Sequence, residues 1–279
     1  MNNYKDSFAF LLFLLFVPSV STPSSAQSHY ITQRFANSVA VEIRRPDLGG
    51  RSTGSARLST TTLLVSGKLM LTDHLLSVVE LPLSLWQLQS NYATESEYTF
   101  GNLYFGIELY SNHRSFCAEL GFLYPSAPSE NENNGRAASV GRVTNYIDHA
   151  EAWEPRRFPI LAGVNYMLET SSSVIVRTDV GMALWMDRQH KDDVQSYIRY
   201  NSKLGYVMDA LIFHLNFDGR YSLNDAIYYN EQLFQQFGLE MELEWNNIHP
   251  SFFFVKPLSD VFKDNLNSYL GVKIIAYLK

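Results

Sequence analysis

The fold of this 279-residue chain is decided by one alternating stretch, Phe237-Gly238-Leu239-Glu240-Met241-Glu242-Leu243-Glu244-Trp245. Large apolar side chains occupy every second position, and a glycine and three glutamates lie between them. A period of two is the period of a β-strand, so one strand face is apolar and the other carries three carboxylates. Two folds satisfy this pattern: a soluble β-sandwich, and a membrane β-barrel whose apolar face meets lipid while its polar face lines the lumen.

The same alternation recurs along the chain and predicts about twelve strands in all. The other predicted strands cover Val39–Arg44, Leu58–Leu71, Val79–Leu85, Leu103–Leu109, Phe116–Phe122, Ile160–Leu168, Val174–Met182, Ile198–Tyr206, Leu211–Arg220, Phe252–Val255 and Leu270–Leu278. Tight turns, as at Thr72–His74, alternate with long polar links, as at Gln87–Gly101. Short turns at one end and long loops at the other are typical of outer-membrane barrels.

The N-terminus has the features of a secretory signal. A lysine precedes an apolar run from Phe8 to Val17, a proline ends that run, and small residues surround Ala26. We predict a signal peptide over residues 1–26, because an apolar run of about ten residues is too short for a membrane helix. Residues 27–279 are predicted to form a single outer-membrane β-barrel domain.

Composition narrows the class of protein. Aromatic residues make up 14% of the chain, with 17 Tyr and 18 Phe, enough to supply aromatic girdles at both membrane interfaces. The formal net charge of −6 argues against nucleic-acid binding. Cys117 is the only cysteine, so no intramolecular disulfide forms and closure of the fold depends on hydrogen bonds.

Two local features concern the lumen. The longest link, Pro125 to Arg157, contains the polar stretch Ser129–Gly135. It has two possible placements, as a partial plug in the lumen or on the surface, and its polarity favours the surface. Pro82 interrupts a good strand, and since proline lacks the N–H of a ladder bond, we expect a bulge or kink there with the side chain toward the lumen.

A family resemblance rests on two sets of segments. One is Leu71–Leu75 followed by Val79–Ser84, and the other is Gly101–Gly106 followed by Glu119–Phe122 and Pro125. Both resemble the turn-plus-strand pattern of Gram-negative outer-membrane barrels that transport aromatic compounds in phenol degradation, relatives of the long-chain fatty-acid transporters. The resemblance covers about the first half of the chain and its motifs are structural. It implies transport of small, hydrophobic compounds and no catalytic residue.

Catalysis is the main alternative to transport. His214, Asn216 and Asp218 share one strand face, and a histidine with such partners can orient a serine nucleophile. An outer-membrane lipid hydrolase, of the phospholipase or deacylase kind, would need a serine hydroxyl within about 3 Å of His214 or His113. The stretch Ser111–Ser115 does not match the lipase patterns, and a wet lumen explains His214 better. We therefore predict no enzyme activity and no catalytic residue.

The glutamates Glu240, Glu242 and Glu244 raise the question of a metal site. Alternate residues of a strand lie about 6.5 to 7 Å apart, which is loose for one ion. Pairing with lumenal bases such as Arg177 or Lys203 is favoured, so we predict no metal site. No cofactor is predicted either, since the sequence has no Walker, Rossmann, CxxC or HExxH pattern.

These observations predict an all-β fold, a transmembrane antiparallel up-and-down β-barrel of about twelve strands in the outer membrane of a Gram-negative bacterium. We expect a porin-like protein for passive transport of small compounds; the alternatives are a lipid hydrolase and a plugged structural or adhesive barrel. Expected partners are the lipid bilayer, lipopolysaccharide, the barrel-assembly machinery and an unidentified small-molecule substrate, with no nucleic acid. The lumen-lining candidates are inward-facing polar side chains: Glu42, Glu80, Glu108, Glu119, Arg177, Asp179, Arg199, Lys203, His214, Asp218, Arg220, Glu240, Glu242 and Glu244.

Overall fold

A computed structural model describes residues 35–48, 57–89, 94–112, 115–129, 134–155, 157–169, 173–187, 194–224, 232–259 and 266–278. The predicted signal peptide lies outside these ranges. The strands are β1 (Ser38–Asp47), β2 (Arg57–Met70), β3 (Leu75–Gln89), β4 (Thr94–Phe100), β5 (Leu103–Tyr110), β6 (Phe116–Tyr124), β7 (Arg157–Glu169), β8 (Val174–Asp187), β9 (Val194–Met208), β10 (Leu211–Ser222), β11 (Leu233–Leu243), β12 (Ile248–Pro257) and β13 (Ser268–Tyr277).

All strand pairings are antiparallel, and the sheet closes on itself because β1 pairs with both β2 and β13. Strands β4 and β5 both pair with β3. β5 pairs with the first half of β3, and β4 pairs with the second half. They therefore form one interrupted strand of the wall. The described wall has twelve strands on this count, and the predicted closed antiparallel barrel of about twelve strands is confirmed.

The interruption lies where the sequence predicts an irregularity. Glu80 pairs with Tyr104 and Leu83 pairs with Phe100. Residues 101–103 between β4 and β5 therefore lie opposite only two residues of β3, Leu81 and Pro82. This is a bulge. The Gly101 N–H donates to the Pro82 carbonyl oxygen over 2.8 Å, and the buried Pro82 points inward.

The strand faces sort as the alternation predicts. On β11, Leu239 is 48% exposed to the outside, whereas Glu242, which points into the barrel, is 1% exposed. The same division holds on the other strands, where the exposed large residues are aliphatic and aromatic. Trp245 lies beyond the end of β11 and forms an isolated bridge with Ile248 at the turn. The barrel thus has an apolar outer surface and a charged interior.

The connections define two ends of the barrel. The "short-turn end" carries the links β2–β3, β5–β6, β7–β8, β9–β10 and β11–β12, and the "long-loop end" carries the others except β4–β5, which lies within the wall. One predicted long link is wrong: over Gln87–Gly101, β3 continues to Gln89 and β4 occupies Thr94–Phe100. β4 looks like a loop in sequence because its residues, Thr-Glu-Ser-Glu-Tyr-Thr-Phe, lack an apolar face of several aliphatic side chains.

The expectation that the link from Pro125 to Arg157 lies on the surface is also wrong. It contains a helix α1 (Gly135–Thr144) and a 3₁₀ helix (Ala150–Trp153). Most side chains of residues 134–155, called the plug segment below, are buried, and they contact inward-facing residues of the wall. The segment therefore lies inside the barrel. Among the residues that the structure describes, no helix is long and apolar enough to cross a membrane.

The outer face can be tested at Leu239, near the middle of β11. An arginine there would place a guanidinium against lipid, and we expect Leu239→Arg to lower the free energy of unfolding by about 2–4 kcal/mol in lipid vesicles. Leu239→Ala, which loses apolar area without adding a charge, is the control. Urea titration followed by heat-modifiable gel migration measures both. Equal stability of the two variants would contradict the lipid-facing assignment.

Candidate functional site

The inward-facing charges pair with neighbours on the same or nearby strands. The Lys203 Nζ atom lies 2.6 Å from Glu240 Oε2, and the Arg44 Nε atom lies 2.5 Å from Glu42 Oε1. The Lys273 Nζ atom is 3.9 Å from the other oxygen of Glu42. All five side chains are largely excluded from solvent. Pairing of this kind offsets the desolvation of each charge, which would otherwise be strongly unfavourable.

These groups surround a polar cavity of about 120 Å³ in the lumen. Asn165 donates to Asp179 and Asn201 donates to Asp218, so amide groups hold two of the carboxylates at its edge. The cavity has room for several water molecules. Its ionisable lining has both signs: Glu42, Arg44, Asp148, His149, Arg177, Asp179, Lys203, Asp218, Glu240, Tyr269 and Lys273.

The plug segment reaches this cavity from the long-loop end and binds Arg44. The Asp148 Oδ2 atom lies 2.6 Å from Arg44 Nη1, and the same nitrogen donates to Asn145 Oδ1 over 2.8 Å. The Arg44 guanidinium also lies 5.3 Å from the centre of the Tyr269 ring. Arg44 therefore joins the wall charge Glu42 to a charge that the plug segment supplies.

Asn102, at the interruption between β4 and β5, holds the plug segment by hydrogen bonds. Its Nδ2 group donates to the carbonyl oxygens of Glu151 and Glu154 over 2.8 and 2.7 Å, and its backbone N–H donates to the Ala152 oxygen over 2.6 Å. Its Oδ1 atom accepts from the N–H groups of residues 126 and 127, each over 2.9 Å. One fully buried side chain thus joins the C-terminal end of the plug segment to residues 126 and 127.

A second wall residue, Arg220, is enclosed by aromatic rings. Its guanidinium carbon lies 3.7 Å from the Tyr197 ring centre, 4.4 Å from Trp185 and 5.3 Å from Tyr146 of the plug segment. It also donates to the Tyr146 carbonyl oxygen over 3.3 Å. Two of these rings belong to the wall, so Arg220 contributes to holding the plug segment through the ring and the carbonyl oxygen of Tyr146.

Helix α1 approaches its neighbours closely because its buried face carries small side chains. Ala137, Ala138 and Gly141 lie on that face, and a Cβ atom at Gly141 would be 2.4 Å from the Trp153 ring. The outer side of the helix is held by Arg136, whose Nη1 atom is 2.8 Å from a Glu95 oxygen on β4. That pair is exposed and contributes little. The buried contacts therefore dominate the docking of the segment.

His149 is the titratable group of the plug segment with a perturbed pKa. Burial, reinforced by the positive charge of Arg44, holds the pKa of its imidazole well below the usual range. Its Nδ1 atom is 3.7 Å from Glu80 Oε1 and its Nε2 atom 3.9 Å from Asp148 Oδ2, yet burial outweighs the attraction of the nearby carboxylates. The docked imidazole is therefore neutral at pH 7.

A second group of paired residues lies at the short-turn end of the lumen. The Glu108 Oε2 atom accepts from Lys68 Nζ over 2.8 Å and from the Tyr110 hydroxyl over 2.7 Å. Phe35 packs edge-on against Tyr110 with ring centres 4.9 Å apart, beside the buried Cys117. A buried ion pair and an aromatic pair therefore lie next to each other at this end of the lumen.

The structure places the fourteen lumen-lining candidates on the inner side of the wall, buried or half-buried, with Glu244 just beyond the end of β11. Glu240 pairs with Lys203, and Glu119 accepts from the Tyr104 hydroxyl over 2.8 Å. Glu242 instead lies between two histidines. Six of the candidates line the cavity: Glu42, Arg177, Asp179, Lys203, Asp218 and Glu240.

The hydrolase alternative gains no support at His214. Its Nε2 atom lies 3.3 Å from Glu242 Oε2, and Asp218 accepts from Asn201 and Gln236 rather than orienting His214. Among the described residues, no serine hydroxyl forms a hydrogen bond with the His214 ring. The other histidine of that hypothesis, His113, lies outside the described residues.

Several residues of the site were missed by the sequence reasoning. Arg44, Lys68 and Lys273 lie on inward positions of predicted strands, so the alternation alone could have identified them. Asn102 and the plug residues carry no such signal, because their roles depend on contacts between distant parts of the chain.

Comparison with solved structures finds the same fold in outer-membrane barrels. The chain is similar to an outer membrane channel from Pseudomonas putida F1, with a TM-score of 0.55 and 11% identity over 93% of this chain and 100% of that chain. It is also similar to the translocator domain of the autotransporter NalP from Neisseria meningitidis, with a TM-score of 0.50 and 11% identity over 89% and 91% of the two chains. These likenesses show the fold. Neither the models of known protein families nor the curated proteins match the sequence.

The lowered pKa of His149 predicts that docking of the plug segment weakens in acid. A released imidazole takes up a proton near pH 6.5, whereas the docked one stays neutral to lower pH. Docking is therefore unaffected by this group above about pH 6.5 and loses up to about 1.4 kcal/mol per pH unit below it.

Hydrogen exchange of the α1 amides, corrected for the intrinsic effect of pH, measures this docking. Protection should fall up to about tenfold per pH unit between pH 6.5 and 5.5 in the wild type. The variant His149→Gln, which cannot titrate, should lose this extra dependence. The same pH dependence in both proteins would show that another group controls docking.

Proposed function

We propose that the protein is an outer-membrane channel for small compounds, and that the plug segment closes its lumen in the described state. The observation that supports this proposal is the charged cavity in the lumen, which the segment covers and to which it contributes Asp148 and His149. The segment is held at its centre by Arg44 and near its C-terminal end by Asn102, beside a charged cavity. Ile147 and Trp153 of the segment also pack into apolar clusters with wall residues, so its release requires both the polar contacts and these apolar contacts to be given up.

The charge of the lumen favours a channel over a purely structural barrel. Burying ion pairs is often no better for stability than filling the same space with apolar side chains. A barrel that served only as an anchor would gain from an apolar interior. Retention of Lys203, Glu240, Asp179 and Asp218 around a cavity is better explained by contact with water and solutes.

The lining also bears on the compounds that pass. Charges of both signs meet in the cavity, with Lys273 and Arg44 beside Glu42. Selection would depend on the size of the opening and on this lumenal charge. The lining favours small polar or charged compounds, and transport of hydrophobic compounds, implied by the family resemblance, stays a prediction.

We place the protein in the outer membrane of a Gram-negative bacterium, with the bilayer, lipopolysaccharide and the barrel-assembly machinery as its partners and without enzyme activity. Support comes from the apolar outer surface and from the fold that the chain shares with an outer membrane channel. A plugged structural barrel is the second candidate, because the plug segment fills the long-loop half of the lumen.

Current through planar bilayers separates these two functions. Arg44→Ala removes both plug contacts of that side chain, and we expect it to raise the frequency of opening events several-fold. Arg45→Ala is a matched control, because the next residue of β1 points outward and is exposed. Its opening frequency should equal that of the wild type.

A stronger test replaces residues 128–155 with a short Gly-Ser linker. A channel should then conduct continuously, whereas a structural barrel whose lumen is closed by wall side chains should not. Heat-modifiable gel migration establishes that the variant is folded. No current above the bilayer baseline from the folded variant would refute the channel.

A further inference from the structure

The β11–β12 hairpin brings three potential metal ligands together at the short-turn end of the lumen. Glu242 lies on the inner face of β11, Glu244 follows just beyond the strand, and His249 lies on β12 after the turn. One oxygen of each glutamate and one ring nitrogen of His249 all lie within 4.8 Å of one another. The cluster combines carboxylate oxygen with imidazole nitrogen.

The distance between two of these ligand atoms suits a small transition-metal ion. The His249 Nδ1 atom lies 3.0 Å from Glu242 Oε1. Two ligand atoms bound tetrahedrally to zinc at 2.0–2.1 Å are about 3.3 Å apart. The strand spacing of about 6.5 to 7 Å between alternate residues, which argued against a metal site in the sequence, applies to the backbone. Here the long glutamate side chains converge, and the hairpin supplies the third ligand.

A second histidine fixes the cluster from the other side. The His214 Nε2 atom lies 3.3 Å from Glu242 Oε2, the oxygen that does not face His249. Outer groups of this kind orient the ligands of metal sites. His214 and His249 are 4% and 1% exposed, and His214 Nδ1 and His249 Nε2 have no hydrogen-bond partner among the described residues. Each histidine thus directs one ring nitrogen at Glu242, and its other nitrogen has no partner among the described residues.

We propose that this cluster binds a divalent transition-metal ion of the zinc class, with Glu242, Glu244 and His249 as ligands and His214 as a positioning residue. Imidazole ligation favours zinc over magnesium and calcium, which prefer oxygen ligands alone. Glu244 is only half-buried, so a fourth position is open to water. The site is separate from the plug segment and does not depend on the proposed channel function.

The test is titration of the protein with Zn²⁺ alone. Residues 27–279, without a histidine tag, are folded in detergent, stripped with a chelator and titrated by calorimetry. We expect one equivalent of Zn²⁺ to bind, with no competition from Mg²⁺ or Ca²⁺. Co²⁺ in place of Zn²⁺ should give the visible absorption of a site with nitrogen and oxygen ligands.

Four variants assign the residues. His249→Gln and Glu244→Gln should each weaken Zn²⁺ binding at least tenfold, and His214→Ala should weaken it about 10–100-fold. His74→Ala removes an exposed histidine from the same end of the barrel and should bind as the wild type does.

Absence of stoichiometric Zn²⁺ binding by the wild type would overturn the proposal. So would wild-type affinity in His249→Gln. Gel migration shows whether each variant is folded. If His249→Gln does not fold, the half-exposed Glu244→Gln decides, and unchanged affinity there would likewise contradict the site.

Discussion

The rest of this structure depends on satisfying the backbone hydrogen bonds of every strand without water. In a bilayer, an open sheet edge leaves N–H and C=O groups unpaired, so a sheet is stable there only when it closes. Closure occurs through the ten residue pairs that join β1 to β13, from Ser38 opposite Tyr277 to Asp47 opposite Ser268. Once the sheet is closed, the alternation of side chains gives every strand one lipid face and one lumen face.

Closure creates the second problem, which is the charge of the interior. Twelve wall strands direct lysines, arginines and carboxylates into a space with little water, and each charge must find a partner. The wall solves part of this problem by itself, as in the Lys203–Glu240 and Lys68–Glu108 pairs. At Arg44 it does so only with help, because Asp148 and Asn145 of the plug segment complete the shell that Glu42 begins. Electrostatic complementarity thus selects where the segment docks.

The sequence predicted the wall well and its contents poorly, for a physical reason. Alternation is a local signal, so it correctly predicted β11 and the inward orientation of Glu240 and Glu242. It failed at β4, where Glu95 and Glu97 face the plug segment and the outer positions lack aliphatic residues. It also failed at α1, whose buried Ala137, Ala138 and Gly141 form no large apolar stripe. That helix packs against Trp153 and against strands β2, β3 and β4, and no local pattern reports such contacts.

The break in the wall and the plug segment are parts of one arrangement. A continuous strand across Gly101 and Asn102 would use their backbone groups in the ladder, and a side chain at Gly101 would meet the Ala152 oxygen at 2.3 Å. The bulge opposite Pro82 frees the Asn102 N–H for Ala152 and turns its amide toward both sides of the plug segment. At this point the wall lacks regular hydrogen bonds between neighbouring strands, and the Asn102 N–H bonds to the plug segment instead. Release of the segment would therefore leave the groups of Asn102 unpaired unless water replaced their partners, and this requirement couples the position of the segment to hydration of the lumen.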